Sequence, residues 1–130
     1  MKNVISWFQI PVTDFERAVR FYNTILSIDL LESKGIGARV ALFPHDMKGG
    51  AVGGALYKGI GFVPSVDGTV VMLNAGKELS IILSKIELAG GSIFMPKTPI
   101  NNKTGFLAYI IDTEGNRVGL YSKNELFVTS

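Results

Sequence analysis

The sequence predicts an α+β fold in which the order β-α-β-β-β occurs twice within one domain. The first observation is a pair of amphipathic helical segments, each preceded by one strand-like segment and followed by several more. The second is the glycine- and proline-rich punctuation between the strand-like segments. The third is composition: 47% of the 130 residues are hydrophobic and 18% are charged, which is typical of a globular domain.

The first strand is predicted over residues 3–12, where side chains alternate between two faces. Phe8 and Ile10 fall on the face that packs under a helix. Trp7 and Gln9 fall on the opposite face.

The first helix is predicted to begin at a capping box, Thr13-Asp14-Phe15-Glu16. In this motif the Thr13 hydroxyl accepts from the backbone N–H of Glu16, and the Glu16 carboxylate reaches back. The apolar residues that follow at helical spacing are Phe15, Ala18, Val19, Tyr22, Ile25 and Leu26.

The second helix carries its apolar residues between positions 79 and 86 and is predicted to end at Gly90-Gly91. A hairpin turn is predicted at 112–116. The remaining strands are predicted over 29–33, 38–43, 51–58, 69–74, 92–95, 106–111 and 117–122. Module one therefore spans about 3–58, a linker 59–68, and module two about 69–123.

Charge and composition exclude several classes of function. The 13 Lys and Arg residues are scattered and the net charge is +2, so no nucleic-acid partner is expected. Cysteine is absent, which excludes disulfides, thiolate chemistry and Cys-bound zinc. The sequence shows neither a signal-peptide pattern nor an apolar run of membrane-spanning length, so we expect a cytoplasmic protein without a membrane partner.

Each predicted module has a helix on one side of its sheet, which leaves the other face for a ligand or a partner. Strand alternation assigns Trp7, Gln9, Met72, Asn74 and Tyr121 to that face. An aromatic ring, two amides, a thioether and a phenol indicate a pocket for a flat, partly apolar organic molecule. The alternatives are that these side chains fill a second core or a dimer interface, and that Asn74 caps the second helix.

Six segments spread over about residues 3–123 resemble the glyoxalase/bleomycin resistance/dioxygenase superfamily, also called vicinal-oxygen-chelate proteins. The opening segment is Trp7-Phe8-Gln9-Ile10-Pro11-Val12-Thr13-Asp14 with Arg17-Ala18 and Phe21-Tyr22, and the others are 53–56, 64–69, 90–91, 95–100 and 112–120. The resemblance implies two βαβββ modules that form a U-shaped mixed sheet around a cleft, usually in a homodimer. It also implies one of two activities. Enzymes of the superfamily, such as glyoxalase I, bind a divalent metal through His, Glu or Gln, whereas metal-free members sequester drugs such as bleomycin.

The positions that carry the superfamily's metal ligands hold unsuitable residues here. The first ligand position corresponds to Trp7, the second falls near Val70 or Val71, and the last-strand position is Gly119. The remaining ligand would come from 55–57, which contains no His or carboxylate. We therefore expect no metal and no other cofactor.

The leading hypothesis is a metal-independent protein that binds a small organic molecule, with sequestration or resistance as its role. Trp7 would stack on the ligand, while Gln9 and Asn74 would hydrogen-bond it. One alternative is a glyoxalase-like lyase or isomerase that uses a divalent metal with atypical ligands. Another is an interaction module whose cleft is closed by a partner subunit. The single histidine, His45, falls in a turn and is expected to be solvated.

Overall fold

The computed structural model of the chain describes residues 3–35, 37–46, 48–77, 79–101 and 104–123. Within these ranges neither helix is long and apolar enough to cross a membrane. The elements in chain order are β1 (Trp7–Pro11), α1 (Phe15–Leu26), β2 (Leu31–Gly35), β3 (Ala38–Leu42), β4 (Gly53–Gly59), β5 (Met72–Asn74), α2 (Leu79–Lys85), β6 (Ser92–Pro99), β7 (Gly105–Ile111) and β8 (Arg117–Lys123).

The strands form two four-stranded mixed sheets with the same plan, β1-β4-β3-β2 and β5-β8-β7-β6. In each sheet the first strand of the module pairs in parallel with the last, and the other pairs are antiparallel. The predicted α+β fold of paired βαβββ modules is thereby confirmed. Because β1 and β5 are edge strands of their sheets, their outer edges are available to form a site.

One hydrophobic core joins the two modules. Ile10, Tyr22 and Ile25 of the first module and Leu73 and Leu120 of the second belong to the same buried cluster. The apolar face predicted for α1 is buried against this cluster, with Val19 and Leu26 at its partly buried margin. Burial of these helix faces fixes which faces of the sheets are left open.

The prediction that Thr13 caps α1 is wrong. The N-cap is Asp14, whose Oδ1 accepts from the backbone N–H of Arg17 at 3.1 Å. The Thr13 hydroxyl instead donates to Glu114 Oε1 at 3.1 Å. Glu16 forms an ion pair with an arginine of β3 rather than reaching back to the cap. The physical reason is that the carboxylate of Glu114, from the β7–β8 turn, reaches the free backbone N–H groups at this helix end.

Several element bounds differ from those predicted. β1 begins at Trp7 and β5 at Met72, so both are shorter than the apolar pattern indicates. α2 ends at Lys85, and hydrogen-bonded turns continue to Gly90, whose φ of 106° is left-handed. β6 extends to Pro99, beyond its predicted end, through two register shifts against β7. Such bulges allow prolines to lie in an edge strand.

The hairpin turn between β7 and β8 forms where the sequence predicts it. The Asp112 N–H donates to the Asn116 carbonyl at 2.9 Å, and Gly115 adopts a φ of 97°. Asn116 also donates from Nδ2 to the carbonyl of Pro11 at 2.7 Å. The turn of the second module is therefore attached to the end of β1.

Candidate ligand-binding site

A cavity of about 720 Å³ lies along the edge strands β1 and β5. We call it the outer cavity. Its lining comes from the segment before β1, from β1 itself, and from β5 with the residues that precede it. The lining residues are Asn3, Val4, Ile5, Trp7, Phe8, Gln9, Val52, Thr69, Val70, Val71, Met72, Leu73 and Asn74. None of these side chains is charged, which favours a neutral ligand.

Trp7 and Gln9 both line the outer cavity, because β1 alternates its side chains and buries Ile10 in the core. Trp7 is 40% exposed, so much of its indole surface is available for contact with a ligand. Within the described residues, no group hydrogen-bonds to the side-chain amide of Gln9. This amide is therefore free to recognise a ligand.

Met72 and Asn74 enter the same cavity from β5. Asn74 Oδ1 already accepts from the backbone N–H of Gly76 at 2.8 Å, so the NH₂ group is the part left for a ligand. The alternative that Asn74 caps α2 is wrong, because that helix begins at Leu79 and Asn74 belongs to a strand.

Tyr121 lies on β8 directly opposite Asn74 but does not belong to the lining of the outer cavity. Its hydroxyl donates to the carbonyl of Thr104 at 3.4 Å, a long contact. The structure thus brings four of the five predicted residues, Trp7, Gln9, Met72 and Asn74, to one cavity.

The residues at the positions predicted for metal ligands do not fit a divalent ion. The β5–β8 register sets Met72, rather than Val70, opposite Gly119. The Met72 sulfur lies against Gly119 so closely that a Cβ there would collide with it. Trp7 lies opposite Gly53, which offers no donor either. Throughout the part of the chain that the structure describes, no three His, Cys, Asp or Glu side chains cluster in a way that would hold a metal.

A second cavity, of about 350 Å³, adjoins the first and was not expected from the sequence. We call it the inner cavity. Phe8, Val52, Leu73 and Asn74 line both cavities, so the two share a boundary. The inner cavity extends from there toward the C-terminal end of α1 and the chain after β3.

His45 lines the inner cavity and is partly buried, so it is less exposed than the solvated turn histidine that the sequence predicts. Its ring covers Gly53 and meets Trp7 edge to face, with 6.0 Å between ring centroids. The signal that sequence reasoning missed is the pair Gly53-Gly54. The first leaves room for the His45 ring and the second for the ring of Phe8.

Solved structures of several named proteins share this fold. The chain is similar to a variant of glyoxalase I from Zea mays, with 19% identity and a TM-score of 0.67, over 95% of this chain and 47% of that one. It is similar to a glyoxalase/bleomycin resistance protein from Albidiferax ferrireducens, with 17% identity and a TM-score of 0.70, over 94% and 100%. It is also similar to an antibiotic binding protein from Streptomyces, with 23% identity and a TM-score of 0.67, over 94% and 97%.

These likenesses concern the fold. The chain spans about half the length of the maize protein and nearly all of the other two. No family model matches the chain. No curated protein matches it either.

Proposed function

We propose that this chain, which has the vicinal-oxygen-chelate fold, binds a small, neutral, partly aromatic molecule without the help of a metal. The observation that carries the proposal is the outer cavity, in which Trp7, Gln9, Met72 and Asn74 converge. An apolar cavity of this size with a few polar groups suits a small organic ligand.

Each of the four side chains has a distinct task in the proposed complex. The Trp7 indole offers a flat surface for stacking. Gln9 hydrogen-bonds the ligand through its unpaired amide, and Asn74 does so through its NH₂ group. The flexible thioether of Met72 adapts to the shape of the ligand. Tyr121 lies one strand further and would contact only a ligand that extends beyond Asn74.

The proposal assigns the protein to binding rather than to catalysis. A glyoxalase-like lyase or isomerase would need a metal, and Trp7, Met72 and Gly119 offer none of the imidazole or carboxylate ligands that it requires. The similarity to an antibiotic binding protein supports sequestration or resistance as the biological role. A homodimer and a cytoplasmic location stay predictions.

Tryptophan fluorescence tests the proposal directly, since the chain has one tryptophan. Planar aromatic compounds should quench or shift the emission of Trp7 in a saturable way. Gln9→Ala should weaken binding by about 1–3 kcal/mol, because the polar group of the ligand that bonds to Gln9 is then desolvated without a partner. The substitution should change the stability of the fold little. Asn101→Ala is the control, because this exposed amide lies outside the cavity lining and its loss should leave affinity unchanged.

The opposite result would favour an interaction module. In that case the emission stays blue and unresponsive across the compounds, and Trp7→Ala lowers the free energy of unfolding by about 3–5 kcal/mol, as expected for a core residue. Elemental analysis of protein purified without chelator distinguishes the metal-dependent enzyme from the metal-free binding protein. A stoichiometric divalent metal that raises the melting temperature would restore the lyase hypothesis.

A further inference from the structure

His45 lies where a ligand stacked on Trp7 would extend into the inner cavity. We propose that His45 Nε2 accepts a hydrogen bond from the ligand and so determines specificity. The preferred ligand is then a neutral planar molecule that carries a hydroxyl or N–H donor. This inference rests on the proposed function, because it assumes that the outer cavity is occupied.

The hydrogen bond of the other ring nitrogen defines the tautomer. Nδ1 of His45 lies 3.2 Å from the carbonyl oxygen of Phe43. A carbonyl oxygen can only accept, so Nδ1 must carry the hydrogen in this contact. In the neutral ring Nε2 is then left with a lone pair and acts as an acceptor.

The ring is also held in orientation by its neighbours. It covers Gly53 so closely that a Cβ there would lie 2.5–2.7 Å from three of its atoms. Trp7 packs against it at an interplanar angle of 77°. No described residue hydrogen-bonds to Nε2, and this nitrogen is not among the atoms sealed from solvent without a partner. A fixed ring with one open acceptor is suited to recognising a donor.

The surroundings make that acceptor selective. Among the described residues that line the inner cavity, His45 and Asn74 supply the only polar side chains, and the rest are apolar or glycine. A hydrogen bond formed in such surroundings discriminates strongly between ligands with and without a donor. The boundary shared by the two cavities, which includes Phe8 and Val52, gives the ligand a route from Trp7 to His45.

A matched pair of probes tests the proposal: 2-naphthol, which has a hydroxyl donor, and 2-methoxynaphthalene, which does not. In calorimetric titrations at neutral pH the wild-type protein should bind 2-naphthol roughly tenfold more tightly, as one net hydrogen bond provides. His45→Phe keeps a ring over Gly53 but removes the acceptor, so the ratio of the two affinities should fall to about one. His45→Gln restores an acceptor near the position of Nε2 and should recover part of the preference.

The chain's single histidine allows an independent measurement. Long-range ¹H–¹⁵N spectra should show the Nδ1–H tautomer in the free protein and a shift of Nε2 on addition of 2-naphthol alone. A preference that persists in His45→Phe, or an Nε2–H tautomer in the free protein, would overturn the assignment of His45 but leave the outer cavity as a binding site. Equal affinity of the wild-type protein for the two probes would also refute it. If neither probe binds, or if Trp7→Leu binds both as the wild type does, the proposed function fails as well.

Discussion

The Tyr22 hydroxyl donates a hydrogen bond to Asp112 Oδ2 at 2.6 Å, joining the first helix to the last hairpin turn across 90 positions of sequence. Asp112 also accepts from the backbone N–H groups of Glu114 and Asn116, so its carboxylate organises the turn. Burial, followed by the negative charge of Asp112, raises the pKa of Tyr22 well above its ordinary value. The phenol therefore stays protonated as a donor. This turn connects the two modules and lies outside the lining of both cavities.

Tyr22→Phe should lower the free energy of unfolding by about 1–3 kcal/mol, because the buried carboxylate of Asp112 loses a donor while the ring packing is kept. Urea denaturation measures the difference. Tyr121→Phe is the matched control. Among the described residues its hydroxyl makes only the 3.4 Å contact, so the change should cost under about 0.5 kcal/mol. Equal costs for the two variants would contradict the importance of the Tyr22–Asp112 bond.

Glu114 should make stability depend on acid pH. Burial alone would raise its pKa, but hydrogen bonds from Arg17, from the backbone of Asp14 and Thr13, and from the Thr113 hydroxyl lower it from 4.5 to about 2. Since the folded state then binds fewer protons than the unfolded state, the stabilisation is complete above pH 4.5 and is lost as the pH falls toward 2.

Thermal unfolding of the wild type and Glu114→Gln at a series of pH values tests this dependence. The difference in melting temperature should be constant from pH 7 to about pH 5 and should shrink steadily at lower pH. Glu32→Gln serves as the control. Its ion pair with Arg39 is exposed, so this substitution should change the melting temperature little at any of these pH values. A difference for Glu114→Gln that does not change with pH would argue against a depressed pKa.

Alternation and helical periodicity were sufficient to predict the fold and to place four of the five candidate residues at one cavity. The same alternation that buries Ile10 turns Trp7 and Gln9 toward the outer cavity. For these residues the pattern along the strand correctly predicts the face on which each side chain lies. The contact between Thr13 and Glu114 was beyond this reasoning, because the two residues are about 100 positions apart. His45, which follows β3, was missed because its burial depends on the absence of a side chain at Gly53 in β4. Long-range contacts of this kind leave little trace in local spacing.

Ile25→Ala should lower the free energy of unfolding by about 2–5 kcal/mol, because Ile25 is fully buried between α1 and the sheets and its loss leaves a void. Ile81→Ala is the matched control. This isoleucine of α2 is 50% exposed, so its truncation should cost under about 1 kcal/mol. Chemical denaturation of both variants gives the comparison. A near-neutral Ile25→Ala would mean that α1 does not pack as the structure has it.

Gly119 and Gly54 both lie beneath large side chains, but the two side chains differ in their freedom to move. A Cβ at Gly119 meets the end of the Met72 side chain, which is flexible and 44% exposed. Gly119→Ala should therefore displace the thioether at a cost under about 1 kcal/mol of stability. A Cβ at Gly54 meets the ring of Phe8, which packs on Phe43 with 5.4 Å between centroids. Gly54→Ala should cost about 1–3 kcal/mol, because an aromatic ring in a packed cluster cannot move aside freely.

Binding measurements on Gly119→Ala then connect this packing to function. The displaced Met72 side chain should move into the outer cavity, so the affinity for 2-methoxynaphthalene should fall by roughly tenfold or less while the fold is kept. Met72→Ala in the same background removes the displaced thioether and should restore much of that affinity. If Gly119→Ala instead destabilises the protein as much as Gly54→Ala, the Met72 side chain is held in place. It would then be part of the packing and not an adaptable wall of the cavity.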